Sequence, residues 1–457
     1  MALVAPLKGV RYDPDVAGTL EDIVTPPYDI ISKNEEASYV SRSPYNIIRL
    51  DITKEPGREK TEDGNRYKSS ADLFQHWLHD GVLLRDREPS FYPYDITYKR
   101  ADGSSGLRRG FICLVQVSPF SHGDVKPHEQ TFDSVIADRL ALTKQCRAQF
   151  SQVFSLYSDP RNEVITALDE AANSTIAKLS DGDGNIHELR KIADRETIGR
   201  VQTLFEQKSL YIADGHHRYT TALAYQNALA AAGPLAADRP ENFIMMYLSP
   251  MEDRGLSILP THRMVTFPGQ ISVSELLERL QRSFEVEELV GGSREGMINE
   301  LLARLDEKQS TAAKKNNCFG FYHPGEDRGF LLSFADSPKK VVAVHPADIE
   351  ELDVVVFSDR IISEVLHLDE KQCEQENLIL FHSDTSYLLD VSVKQASMNG
   401  TSTPLLFLLN PTRVGQVKNV SDRGHVMPHK STYFYPKIIS GLVLNMLLED
   451  EKIVVPR

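Results

Sequence analysis

Four cysteines, Cys113, Cys146, Cys318 and Cys373, are spread through the 457 residues with no Cys-x-x-Cys pair among them. That spacing excludes a zinc knuckle and a disulfide scaffold, and it fits the reducing cytoplasm. Positive charge is also in short supply: 51 Lys and Arg stand against 65 Asp and Glu, a formal net charge of -14. A nucleic-acid partner is therefore disfavoured, because tight contact with a polyanion relies on Lys and Arg displacing its counterions. Long apolar runs are missing too. The first residues carry one apolar patch, broken by Pro6 and Lys8, too short for a signal peptide, and nothing approaches the ~18 apolar residues of a membrane span. No internal period is visible, which argues against a repeat protein.

What is present is the composition of a folded globular chain, 41% hydrophobic and 25% charged, of a length that favours two or three domains over one. Residues 66–86 place Ala71, Phe74, Trp77 and Leu78 at helical spacing and close on Gly81, which predicts an amphipathic helix. Residues 90–118 predict a hairpin, residues 160–180 a helix, and residues 241–250 a buried strand. Beyond residue 258 the pattern changes. Residues 258–267 read as a connector, 272–289 and 293–309 as two helices, 317–334 as a hairpin, 343–366 as a charged connector and 403–437 as a strand-rich block. The expected division is 1–255 and 256–457, with the last strands returning to the first part.

The densest chemistry is "YIADGHHRYTTAL", where an apolar run meets Asp214, Gly215, His216, His217 and Arg218 and then an alanine-rich helix. The first N–H groups of a helix lack partners and carry the positive end of its dipole, so such a joint attracts phosphate or carboxylate. Gly215 lets the backbone turn and approach a ligand. Arg218 adds a fork of donors, and the histidines can exchange protons near neutral pH. Asp214 could hold a magnesium-bound water or orient a histidine. The same residues also fit a purely structural joint, with Asp214 as helix cap and Arg218 in an ion pair. Zinc fits poorly, since adjacent helical histidines diverge by about 100°, unlike an i, i+4 pair.

Other segments add candidates. "TPPYDIIS" is a rigid loop presenting Tyr28 and Asp29, and "KPHEQT" offers His128 and Glu129 ahead of a helix. That helix carries Asp138, Arg139, Lys144 and Arg147 at salt-bridge spacing, an exposed charged face unless Arg139 and Arg147 reach a phosphate. "MPHKSTYFYPK" supplies Lys430, Ser431 and Thr432 as anion donors, or else an edge strand with alternating aromatics.

These segments, together with "ADRLALTKQCRAQFSQVFSLYSDP" and "ILPTHRMV", resemble domain of unknown function family 1015 nearly end to end. The "DGHHR" turn is similar to that of the ParB/sulfiredoxin-like superfold and its free-serine kinases. The resemblance implies an α+β chain, a ParB/sulfiredoxin-like unit with insertions followed by a second α+β domain. It also implies a small-molecule phosphotransferase using ADP or ATP with Mg²⁺ near Asp214. Gly215, His217, Arg218, Arg139, Arg147, Lys430, Ser431 and Thr432 are then expected at the phosphates. Tyr28, Asp29 and His128 are expected at the substrate, and Glu129, Asp214 and His216 in catalysis. Glu129 stands as base with Asp29 in reserve, because the kinases' glutamate aligns to no definite position here. With no cysteine in the turn, sulfiredoxin-type reductase chemistry does not fit. A phosphatase acting on a metabolite such as phosphoserine, and a nucleotide-binding switch that changes oligomeric state, remain the alternatives. A homo-oligomer is compatible with either, and a nuclease fits least.

Overall fold

In a computed structural model of the chain, the described residues are 1–51, 66–100, 102–171, 174–311, 317–334, 345–398, 400–428 and 430–455. The fold is α+β. It divides into two compact units: Met1–Ser257 with Phe434–Arg457, and Ile258–Tyr433.

The first unit is built on a ten-stranded mixed sheet. Its strands are β1 (Val4–Ala5), β2 (Tyr92–Lys99), β3 (Ser105–Arg108), β4 (Phe111–Gln116), β5 (Val125–Lys126), β6 (Val153–Tyr157), β7 (Thr175–Ser180), β8 (Ile186–Arg190), β9 (Leu210–Asp214) and β10 (Phe243–Pro250). Along the sheet the order is β7-β8-β2-β4-β10-β6-β9-β5, with β1 beside β4 and β3 beside β2. The central strands are apolar on both faces, as in "FICLV" and "FIMMYL", and are fully buried, the pattern of a sheet covered on two sides. Five helices matter to the site and its support: α1 (Arg66–His79), α2 (Asp133–Cys146), α3 (Glu163–Ala171), α4 (Arg195–Phe205) and α5 (His216–Ala232). A second core gathers Phe74, Trp77, Phe150 and Ile47 around α1.

The second unit holds a six-stranded sheet containing Phe284–Leu289, Arg328–Phe334, Cys318–His323, Thr403–Leu408, His262–Phe267 and Ile379–His382, in that order. Its core packs Leu301, Leu305, Leu388 and Leu406.

Several expectations are corrected here. The helix expected through residue 180 stops at Ala171, and Thr175–Ser180 pairs antiparallel with Ile186–Arg190 across an Asp/Gly turn. Sheet pairing at a hairpin outweighs the weak helical spacing of "TIAKLS". Residues 258–267 are not a connector, because His262–Phe267 is an inner strand of the second sheet. Phe284–Leu289 is a strand rather than the continuation of a helix. The charged connector contains the helical segments Asp353–Val356 and Phe357–Val365, and the block after residue 403 contains the helix Val414–Asp422.

Candidate functional site

The joint forms because β9 ends where its apolar run ends. Asp214 lies in register with Phe154 of β6, and Gly215 then takes φ 92° and starts α5 with no side-chain cap. The positive φ demands glycine here, and a side chain at this position would also displace the Arg218 guanidinium, whose carbon it would meet at 2.8 Å. Strand β5 runs parallel to β9, pairing Val125 with Leu210 and Lys126 with Tyr211. The chain leaving β5 is "PHEQT", so sheet neighbourhood alone delivers His128 and Glu129 to the start of α5.

Both histidines of the turn face that loop. His216 Nε2 accepts the backbone N–H of His128 at 3.2 Å, and His217 Nε2 accepts that of Phe132 at 3.0 Å. The His217 ring also stacks on Phe132 at 5.7 Å. The adjacent pair therefore clamps both ends of residues 128–132 and fixes Glu129 between them. An accepting Nε2 leaves the proton of neutral His216 on Nδ1, and Nδ1 lies 3.5 Å from Glu129 Oε2. Burial lowers the pKa of His216 and takes that of His128 down to about 3, so both rings are neutral at pH 7. The two rings meet edge to face at 4.6 Å. Glu129 keeps a quarter of its side chain exposed.

Asp214 is held by two cations. Lys437 Nζ donates to Oδ1 and Arg218 Nη2 to Oδ2, each at 2.6 Å. Burial alone would raise its pKa, but the ammonium and the guanidinium outweigh burial and hold it at about 2. Arg218 also donates to the Gln152 carbonyl. The segment carrying Lys437 is docked locally: Gln152 Nε2 donates to the Ile439 carbonyl at 3.1 Å, and Ser440 N–H donates to the Thr25 carbonyl at 2.8 Å. The second contact brings in the "TPPYD" loop.

A partly open pocket of about 590 Å³, solvent space included, lies between α5 and α2. Arg218, Thr221, Ala222 and Tyr225 line it from one face of α5, and Arg139, Leu142 and Thr143 from α2. Tyr28, Asp51, Gln149 and Ser151 complete much of the wall. Arg139 is not on an exposed face as its spacing predicted. It is buried, donates to the Asp51 carboxylate at 3.2 Å and to Asp138 at 2.5 Å, and lies 4.4 Å above the Tyr28 ring. Burial raises the Asp51 pKa against the pull of Arg139 and Arg218.

The predicted residues thus separate. Tyr28, His128, Glu129, Arg139, Asp214, Gly215, His216, His217 and Arg218 gather around the joint and its pocket. Asp29 is exposed and acts electrostatically on Arg218. Arg147 is half-exposed at the end of α2, paired with Glu449 at 2.6 Å. Lys430, Ser431 and Thr432 belong to the second unit. There Lys430 is exposed, and the Ser431 hydroxyl donates to the Pro428 carbonyl at 2.5 Å. Sequence reasoning missed Lys437, whose only signal was its place at the end of "TYFYPK", and Asp51, which carried none. Asp214 as a direct magnesium ligand does not fit a carboxylate whose two oxygens already bind cations. Among the described residues no cluster of three metal-ligating side chains occurs. No helix among them is long and apolar enough to cross a membrane.

A family model described as "Protein of unknown function (DUF1015)" matches residues 4–355. The chain belongs to this family. Comparison with curated proteins finds no match. Among solved structures the chain is similar to a free serine kinase in complex with AMP, at 12% identity and a TM-score of 0.34, covering 72% of this chain and 92% of that one. A variant of that kinase in complex with ADP gives 13% and 0.35 over the same shares. C-terminally truncated SbnI from Staphylococcus aureus gives 12% and 0.33, covering 74% and 90%.

Proposed function

We propose that this DUF1015 protein is a small-molecule phosphotransferase whose first unit takes a nucleotide phosphate donor, ADP or ATP, and a hydroxyl acceptor. The carrying observation is the oriented pair of a partly exposed Glu129 and a buried, neutral His216 with its Nδ1 proton on the carboxylate side. A base 3.5 Å from a neutral donor, next to a helix start with no side-chain cap, has the elements that in-line transfer needs: positioning, and donors aimed at the charge that moves. The nucleotide comes from the likeness of the "DGHHR" turn.

In the reaction, the acceptor oxygen attacks the terminal phosphorus and its proton passes to the Glu129 carboxylate. The bond from phosphorus to the bridging oxygen breaks, and the shortened nucleotide leaves with that electron pair. The N–H groups opening α5 hold the transferred oxygens. Arg218, fixed by Asp214 and Gln152, braces that helix start and supplies positive charge. When bound, Mg²⁺ comes with the donor's phosphates. The test is purified full-length protein with ADP or ATP, Mg²⁺ and a panel of hydroxy acids, followed by phosphorus NMR. A new phosphoester is expected, and unchanged nucleotide with every acceptor contradicts the reading.

A further inference from the structure

Arg108 ends β3 with its side chain fully buried, and none of its three guanidinium nitrogens makes a hydrogen bond of good geometry among the described residues. The other buried arginines of this unit are compensated: Arg139 by Asp51 and Asp138, Arg218 by Asp214. Arg108 has aromatic rings instead, Phe154 at 4.8 Å and Tyr247 at 5.6 Å. The Tyr247 hydroxyl is also buried and acts on the guanidinium as a weak hydrogen-bond partner, although no bond of good geometry reaches it among the described residues. Asp253 feels the guanidinium, yet among the described residues no carboxylate lies within ion-pair distance of it.

Buried donors left unmade are costly, and a buried charge more so, unless something supplies the missing acceptors. Two aromatic faces stabilise a cation but accept none of its five N–H bonds in the plane of the fork. The ligand that fits is a planar, bidentate anion. Position points the same way. Tyr247, Phe154 and Asp214 are successive cross-strand partners on β10, β6 and β9, so the ring on which the guanidinium rests is a sheet neighbour of Asp214.

We propose that Arg108, with the Tyr247 hydroxyl, anchors the carboxylate of a small acid. The acceptor is then a hydroxy acid rather than a neutral alcohol. That last step rests on the phosphotransfer reading, whereas the carboxylate subsite does not. An acid reaches the fully buried guanidinium only if the packing around it opens.

The test is calorimetric titration of the full chain, without nucleotide, with L-serine, glycerate, inorganic phosphate and glycerol, for the wild type, Arg108→Lys and Arg108→Met. Binding of at least one acid is expected, with no glycerol binding and a weakening of about tenfold or more in both variants, since lysine keeps the charge but loses the fork. Should Arg108→Met fail to fold by circular dichroism, Arg108→Lys carries the test. Unchanged acid affinity in the folded variants, no acid binding to the wild type, or Arg108-dependent binding of phosphate alone overturns the proposal. Arg108-dependent acid binding without nucleotide consumption breaks only the phosphotransfer reading. Consumption with glycerol as readily as with glycerate, indifferent to Arg108, breaks only the subsite.

Discussion

His216 in the first unit and His262 in the second are built alike up to one atom. Each ring is buried and neutral, and each accepts a backbone N–H: His128 at 3.2 Å for His216, and Leu409 at 3.1 Å for His262. Burial takes the His262 pKa down to about 3, with Arg263 and His382 pushing the same way. For His216, Glu129 and Asp214 push against burial. The buried arginines divide by partner rather than by unit, Arg108 of the first unit sharing the ring-lined setting of Arg263. Arg263 lies between Phe357 at 5.3 Å and Phe381 at 5.5 Å, and burial lowers its pKa to about 9, whereas carboxylates raise those of Arg139 and Arg218. A neutral imidazole that pins backbone is therefore a structural device wherever it occurs. In the proposed phosphotransfer, the carboxylate 3.5 Å from its far nitrogen is what turns such a device into a proton-handling pair.

The sharpest way to break this comparison is to remove the acid that holds the first unit's cations. Asp214→Ala strands Lys437 and Arg218 as buried charges, and a loss of about 3–5 kcal/mol is expected. The one tryptophan, Trp77, is buried in the first unit, so its fluorescence during urea unfolding reads that unit. A midpoint within error of wild type would contradict the ion-pair account. Next, His216→Ala and His262→Ala should each destabilise their own unit by about 1–3 kcal/mol by orphaning a buried N–H. Only the first should lower kcat, by roughly 10²-fold or more. Equal loss of kcat in both variants would erase the distinction.

Acid should weaken the first unit. His128 and His216 have folded pKa values below the unfolded 6.5, so as pH falls through 6.5 the unfolded chain binds protons first. Stability present above 6.5 is then lost toward about 3 for His128, by at most about 1.4 kcal/mol per pH unit for each ring. Asp95 opposes this. Burial raises its folded pKa from 3.8 to about 6 despite Arg190 and Arg109, so it adds stability as pH falls through that window. Asp95→Asn should steepen the loss between pH 7 and pH 5 read from Trp77, and a shallower loss would contradict a raised Asp95 pKa in the folded protein. The smallest effect is expected for Arg147→Ala. It removes an exposed pair worth about 0–1 kcal/mol and should leave nucleotide affinity unchanged.

The parts of the site carried by one contiguous motif were legible in the sequence. "ADGHHR" announces its turn because glycine, the end of an apolar run and an alanine-rich helix are local signals. Glu129 and His216 were each legible as candidate catalytic residues, but their contact was not; the parallel pairing of β5 with β9 supplies its physical reason. Lys437 and Asp51 were not legible, since a lysine after "YFYP" and an aspartate after "IIRL" acquire meaning only from what folds against them. Arg147 and Arg139, eight residues apart on one charged pattern, were read as equivalent, and burial against Asp51 separates them. Alternating acids and apolar residues, as in "FEVEEL", misled because an edge strand and an amphipathic helix end share that composition.

The central claim is that Glu129, fixed by the two histidines and oriented by His216, takes the acceptor's proton. Glu129→Gln keeps the shape and removes the base. In steady-state assays with nucleotide and a hydroxy acid, kcat should fall by roughly 10²-fold or more with nucleotide KM little changed. A variant that turns over at the wild-type rate would contradict the account.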